Sequence, residues 1–123
     1  MRHVGMIPLI GGEILASDEV YGTTPEYILS YSGFGGNEKH LLNYYKEQGH
    51  DIPYYVLDED GTVVPKGNHI DVVSSVCPCA GLSSYHNKAG EDNPNNQWME
   101  KSSEYILETI KPSVYWRENA PAL

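Results

Sequence analysis

Apolar and polar segments alternate along the chain in a way that predicts strands and helices in turn. Residues 27–31 form a short β-prone run, and residues 37–45 follow with apolar side chains at helical spacing. Gly49 is typical of the residue that ends a helix, and a second apolar run, 52–57, comes directly after it. The first half of the chain therefore predicts a strand, a helix and a second strand.

The second half repeats this alternation. Residues 70–76 are rich in β-branched side chains and predict a third strand. Residues 97–110 place apolar side chains at the spacing of an amphipathic helix, Pro112 marks its end, and residues 114–116 predict a last short strand. Strands that alternate with helices favour a parallel α/β sheet, whose ligands lie at the carboxyl ends of the strands.

Two segments lack this periodicity. Residues 1–26 mix apolar and polar positions around Gly11-Gly12, and we expect short strands or irregular structure there, packed as an N-terminal extension. Residues 83–96 are polar, with a glycine, a proline and four asparagines, and predict a long surface loop. The expected organisation is an extension, 1–26, followed by a single α/β domain, 27–123.

Composition narrows the classes of protein. The 123 residues are 40% hydrophobic and 20% charged, with no apolar run near 18 residues, so we expect one soluble globular domain and no membrane span. A net charge of −9 provides no basic field and argues against strong binding of nucleic acid. The N-terminal apolar stretch is too short for a signal peptide, and two cysteines separated by one proline suit a reducing compartment. The cytoplasm is the expected location.

A glycine-rich turn and an acidic cluster fall where a nucleotide-type cofactor would bind. The segment 32–36, Ser-Gly-Phe-Gly-Gly, lets the backbone approach a ligand and points helix N–H groups towards it. Asp58 or Glu59 follows the next strand, and the 22 residues from Gly36 to Asp58 are close to the separation of about 20 for a ribose-binding acid. The alternative is a tight turn followed by a solvated acidic turn.

Two more side chains with reactive groups fall at strand ends. Cys79 follows Pro78 after a strand of buried type, where a thiol can act as a nucleophile, although many free cysteines are inert core residues. Glu118 lies just beyond the last strand, where it is either a general acid or a solvated glutamate. Two alternatives are disfavoured. A thiol redox pair of Cys77 and Cys79 would usually have C-x-x-C spacing, which is absent here. A zinc site formed by these cysteines and His86 would need a second pair of thiols, and the sequence has none. We expect no metal.

Three motifs, taken in order, resemble those of the DNA cytosine-5 methyltransferases. Residues 31–36 are similar to the F-x-G-x-G-G cofactor motif, residues 78–83 to the P-C-Q-G-F-S nucleophile loop, and residues 118–123 to the E-N-V-P-G-L motif. Asp58 and the asparagine-rich segment 93–97 also fall as in that family. The resemblance covers residues 27–123 and implies a Rossmann-like methyltransferase fold, a largely parallel sheet flanked by helices.

The resemblance implies S-adenosylmethionine as the cofactor. Tyr31 would stack on its adenine, the glycine backbone would pass close to its methionine part, and Asp58 would bind the ribose hydroxyls. The cofactor-binding residues implied in this way are Tyr31, Ser32, Gly33, Phe34, Gly35, Gly36, Asp58 and Pro78.

The resemblance also implies methyl transfer to C5 of cytosine in DNA. Cys79 would add to C6 of the base while Glu118 protonates N3, and Asn119 would orient Glu118. Ser83 would help fix the loop over the DNA backbone. Because neither carbon is reachable in a stacked duplex, the base would be flipped into the pocket.

Departures from the family pattern leave every reacting atom in place: Leu29, Ala80, Leu82 and Ala120 replace its usual residues. The chain ends directly after the Glu-Asn motif, so we expect the first, apparently truncated part of such an enzyme, without its target-recognition domain and poorly active or inactive alone. The expected partners are DNA, and a second polypeptide that completes the domain, in a bacterial or phage-type cytoplasm. The alternative is a methyltransferase-like cofactor-binding or protein-interaction module without catalysis.

Overall fold

The computed structural model describes residues 1–9, 11–76 and 97–118, apart from the side chains of Asn37, 97–99 and Glu118. The described strands form one all-parallel sheet in the order β3-β2-β1-β4-β5, an α/β architecture compatible with a Rossmann-like fold. The elements in chain order are β1 (His3–Met6), α1 (Gly12–Tyr21), β2 (Ile28–Ser30), α2 (Gly35–Glu47), β3 (Tyr54–Val56), β4 (Val72–Val76), α3 (Gln97–Tyr105), a π-helical turn (Ile106–Ile110) and β5 (Val114–Glu118).

Helices cover both faces of the sheet. On one face, Val4 and Met6 of β1 pack in a core with Val73 of β4 and with Ile106, which follows α3. On the other face, Ile14 of α1 and residues of α2 pack against β2. Because side chains in a strand alternate between faces, β2 contributes Leu29 to the first core and Ile28 to the second. The parallel sheet predicted from the sequence is confirmed.

The segment 1–26 differs from the sequence prediction. Its residues 3–6 form a strand that is buried at every position and lies in the middle of the sheet. Its residues 12–21 form a helix, so the expectation of short strands or irregular structure is wrong there. Only Ile14 and Ser17 of this helix are buried. Because the buried face has two residues and one of them is polar, the sequence lacks the amphipathic pattern from which a helix is predicted.

The remaining predicted elements are confirmed with shifted ends. An observed strand lies within or overlaps each of the four predicted strand ranges, which are 27–31, 52–57, 70–76 and 114–116. The helix predicted over 97–110 is present, but its last five residues form a wider π turn that ends at Lys111 in the left-handed region. The predicted loop 83–96 lies outside the described residues.

A buried polar network ties β1 to the two helices on one face. His3 Nε2 lies 3.0 Å from Asp18 Oδ1 on α1, and the hydroxyl of Tyr45 on α2 donates a hydrogen bond to the same carboxylate. Burial raises the pKa of Asp18.

Across the part of the chain that the structure describes, no helix is both long and apolar enough to cross a membrane.

Candidate functional site at the carboxyl edge of the sheet

The order of the strands identifies one crevice as the preferred place for a ligand. From β1 the chain moves outwards through β2 to β3, and then returns to the other side of β1 to form β4 and β5. At such a reversal the connections leave the carboxyl ends of two neighbouring strands in opposite directions and open a gap between them. In this protein the gap lies between the carboxyl ends of β1 and β4.

The β1–α1 turn, which comprises Ile7–Leu9 and Gly11, forms one side of this crevice. Ile7, with φ 49°, and Leu9, with φ 55°, both have left-handed backbone, and the Ile7 N–H donates to the Leu29 carbonyl over 2.8 Å. Gly11 is also left-handed, and a Cβ placed there would lie 2.6 Å from the side chain of Leu41. A glycine is therefore required at this position.

Sequence reasoning missed this turn as part of the site. The glycine pair Gly11-Gly12 was visible, but the strand before it has only four residues and the helix after it is not amphipathic. A glycine pair carries weight as a cofactor motif only between a recognised strand and a recognised helix. Gly11-Gly12 was therefore the one signal in the sequence that pointed to this turn.

The predicted glycine turn, 32–36, follows β2 and lies one strand away from the switch point. Gly33 has φ +100°, a conformation that favours glycine. Phe34 packs against the core and immediately precedes α2, while Gly35 and Gly36 form the first helical residues. The turn therefore begins a helix, as predicted, but the crevice itself is lined by the β1–α1 turn.

Ser32 and Asp58 are brought together at the ends of β2 and β3. The Ser32 N–H donates to Asp58 Oδ1 over 2.8 Å, and its hydroxyl donates to Oδ2 over 2.6 Å. The hydroxyl bond is the main cause of the lowered pKa of Asp58, which stays exposed to solvent. Asp58 thus keeps its negative charge and holds the glycine turn, and each oxygen has a further lone pair for a ligand.

A cavity of about 460 Å³ lies beside these residues, between the ends of β2 and β3 and helix α3. Tyr31 and Leu57 line it from the sheet, and Tyr105 lines it from α3. The Tyr31 side chain packs largely within the core and is only 7% exposed. The volume of the cavity falls within the range of small-molecule sites. Its lining combines apolar and aromatic side chains from the sheet side with the charged side chains of Lys101, Glu104 and Glu108 from the helix side.

The ends of β4 and β5 form the other side of the crevice. Val76 is paired with Glu118 in the parallel ladder, so these two strands end side by side. The predicted residues Pro78, Cys79, Ser83 and Asn119 lie outside the described residues, as does the side chain of Glu118. Cys77-Pro78-Cys79 continues the sequence directly after Val76.

Within the described ranges, no three His, Cys, Asp or Glu side chains form a group that could hold a metal ion.

No protein-family model matches the chain, and a comparison with curated proteins finds no significant match. The functional conclusion therefore depends on the site itself.

Proposed function

We propose that this protein binds S-adenosylmethionine at the carboxyl edge of its sheet and transfers the methyl group to C5 of cytosine in DNA. The observation that carries the proposal is the pairing of Val76 with Glu118. The motif containing Cys79 begins two residues after Val76, and the Glu-Asn motif begins at Glu118. The two motifs that the resemblance makes catalytic therefore leave adjacent strands at the same level.

The carboxyl edge also offers features that fit the cofactor. The cavity beside Tyr31 and Leu57 has room for a flat base between aromatic, apolar and charged side chains, and Asp58, the residue after Leu57, keeps a charged carboxylate for hydroxyl groups. Gly11 lets the β1–α1 turn pack closely on Leu41 of α2 beside the switch point, where ligands bind in sheets of this type. When bound, S-adenosylmethionine supplies an electrophilic methyl group.

In the proposed reaction the protein's own groups activate the base. The Cys79 thiolate forms a bond to C6, and Glu118 gives a proton to N3, so that no net negative charge accumulates on the ring. This makes C5 nucleophilic enough to accept the methyl group. Loss of the C5 proton to water, return of the N3 proton to the Glu118 carboxylate and departure of the Cys79 thiolate then restore the aromatic ring. Asn119 orients Glu118 throughout.

The first test of the proposal is calorimetric titration of the protein with S-adenosylmethionine. We expect saturable binding that weakens in Asp58→Asn, with Asp60→Asn as the control, since Asp60 follows the same strand and is also exposed. A wild-type protein that binds no S-adenosylmethionine would reject the proposal.

The second test concerns the nucleophile. A DNA duplex with 5-fluorocytosine cannot lose a proton from C5, so an attacking thiol stays attached and can be detected by mass spectrometry. An adduct formed in this assay should need S-adenosylmethionine, persist in Cys77→Ser and disappear in Cys79→Ala. An adduct that survives Cys79→Ala would remove Cys79 from this role, whereas cofactor binding without any adduct would favour a non-catalytic module.

A further inference from the structure

Arg117 is a cation near the carboxyl end of β5 that the proposed chemistry does not use. It is paired with Ser75 of β4 in the sheet, and the next residue, Glu118, begins the Glu-Asn motif. Its Nη1 donates a hydrogen bond to the Ser103 hydroxyl of α3 over 2.9 Å, yet the residue is exposed. Because a guanidinium has five N–H donors, this one bond leaves most of them available to a ligand.

The Ser103 hydroxyl that holds Arg117 is itself fixed by a second group. It lies 2.9 Å from the Tyr115 hydroxyl, and Tyr115 packs against the core on the face that α3 covers. Ser103 can accept from Arg117 and still share a hydrogen bond with Tyr115, since a hydroxyl has two lone pairs and one proton. Two neutral groups, one on α3 and one on β5, therefore position the guanidinium without neutralising its charge.

The charge of Arg117 has no carboxylate partner in the part of the chain that the structure describes. The other arginine, Arg2, forms an ion pair with Glu26, with 3.4 Å between Nε and Oε1. The described carboxylates include Glu100, one turn before Ser103 on α3, but none of them is paired with Arg117. In a chain with 17 acidic and 8 basic residues, a cation held by hydroxyl groups instead of a carboxylate calls for an anionic ligand.

We propose that Arg117 binds a backbone phosphate of the DNA substrate beside the target cytosine, and that Ser103 is its positioning residue. The identity of the anion rests on the proposed function, in which Glu118 contacts the flipped base. Neighbouring residues of a strand are about 3.3 Å apart, so the Arg117 side chain begins one residue away from that contact. A flipped nucleotide keeps its phosphates, and the planar guanidinium can bind two phosphate oxygens at once.

The net charge of −9 does not prevent this contact. Salt at about 0.1 M screens exposed charges that are more than about 10 Å apart, so distant carboxylates act weakly on a phosphate that touches Arg117. Contacts to phosphate fix the position of a protein on DNA and carry no sequence information. The expected role of Arg117 is therefore to place the nucleotide beside Glu118, whatever the target sequence.

The first measurement is fluorescence anisotropy of a labelled DNA duplex titrated with the full chain at several salt concentrations. For Arg117→Gln we expect about fivefold weaker binding at low salt, and a plot of log affinity against log salt whose slope is smaller by about 1. Lys46→Gln is the matched control, because it removes the same charge from the exposed end of α2, which leads to the amino end of β3.

This control should leave the affinity within about twofold of wild type and the slope unchanged, since Lys46 lies away from the contact. A wild type that binds no duplex at low salt would overturn the inference. So would an Arg117→Gln protein with the affinity and slope of wild type.

Three further variants separate charge from geometry. Arg117→Lys keeps the charge without the planar fork, and we expect about threefold weaker binding with the slope of wild type. Ser103→Ala leaves the charge but releases the guanidinium, so we expect the same combination, at about threefold weaker binding. Ser103→Thr keeps a hydroxyl and should restore the affinity. Full affinity in Ser103→Ala would reject Ser103 as the positioning residue.

Two comparisons identify the source of the anion and separate this inference from the proposed function. Inorganic phosphate that binds wild type as tightly as the duplex does, and fails to bind Arg117→Gln, would replace DNA as the ligand and overturn the proposal. A protein that binds the duplex through Arg117 but binds no S-adenosylmethionine rejects the proposed function and supports the phosphate contact. A protein that binds S-adenosylmethionine, with a DNA affinity independent of Arg117, rejects the contact and leaves the proposed function in place.

Discussion

Two carboxyl groups near the same edge of the sheet have opposite electrostatic behaviour. Asp58 is exposed, and a hydrogen bond from the Ser32 hydroxyl lowers its pKa. Glu38 is buried, and loss of hydration raises its pKa despite a hydrogen bond from the Tyr54 hydroxyl. Sequence reasoning singled out Asp58 from its place after a strand, but it did not single out Glu38, because burial of a charged residue in the first turn of a helix depends on tertiary contacts.

Ser32→Ala should raise the pKa of Asp58 towards its ordinary value, because it removes the largest cause of the shift. A depressed native pKa stabilises the fold above the unfolded value of 3.8, and this stabilisation is lost as the pH falls through the native pKa. We therefore expect Ser32→Ala to cost at most about 1 kcal/mol at pH 7, since the pair is exposed, and less in acid. Urea unfolding at several pH values measures this difference. A loss that grows as the pH falls would contradict it.

Glu38→Gln should show the opposite pH dependence. The native pKa of Glu38 is raised above its ordinary 4.5, so the unfolded chain loses the proton first and wild-type stability declines as the pH rises from 4.5 through the native pKa. Glutamine has no such titration. We expect the stability of Glu38→Gln relative to wild type to increase over this window, as measured by urea unfolding, with Glu47→Gln, at the exposed end of the same helix, as the control. A relative stability that decreases as the pH rises would show that the pKa of Glu38 in the folded protein is not raised.

At the level of elements, the sequence predicts those whose burial produces a periodic pattern. Strands near 28–30, 54–56 and 72–76 were predictable because each contains consecutive apolar or aromatic residues, which are buried at 28–29 and 72–73 and partly buried at 54–56. Helix α1 was not, since it buries Ser17 beside Ile14, and β1 was not recognised because its buried residues include His3 and Gly5. Short buried elements with polar or small residues depend on tertiary contacts that local pattern does not reveal.

The β1–α1 turn allows a direct comparison of two adjacent glycines. Gly11→Ala places a Cβ 2.6 Å from Leu41 on a backbone with φ +89°, whereas Gly12→Ala, at the first residue of α1, meets nothing within 4 Å. We expect Gly11→Ala to lose about 2–4 kcal/mol of unfolding free energy and Gly12→Ala to change it by at most about 1 kcal/mol, in the stabilising direction. Thermal and urea denaturation measure both. Equal effects would mean that the turn does not require its left-handed glycine.

At the level of the whole molecule, the sheet and its direction were predictable, but the position of the crevice was not. The alternation of strands and helices predicted a parallel sheet with its ligands at the carboxyl edge. Which two strands flank the switch point depends on strand order, which was not predicted from the sequence, and His3–Met6 lies between β2 and β4. The switch point is therefore beside the β1–α1 turn, one strand away from the glycine turn 32–36.

Because the described strands share one sheet, we expect them to unfold in a single transition. Trp116 lies on the edge strand β5, which pairs only with β4 among the described strands, and it is 37% exposed. In a Trp98→Phe background its fluorescence reports this edge, while far-UV circular dichroism reports the helices. The two urea transitions should coincide. An earlier fluorescence transition would show that β5 separates from the rest of the sheet.

The central position of β1 also affects how the chain folds as it leaves the ribosome. Once β2 and β3 have been made, β1 is paired on one side only, and its other edge stays open until β4 emerges. His3 pairs with Val72, so 69 residues separate the two partners along the chain. At ordinary rates of synthesis this interval is about 4–14 s. During that time the nascent protein presents a buried-type strand edge to its surroundings, and such an edge can pair with another chain.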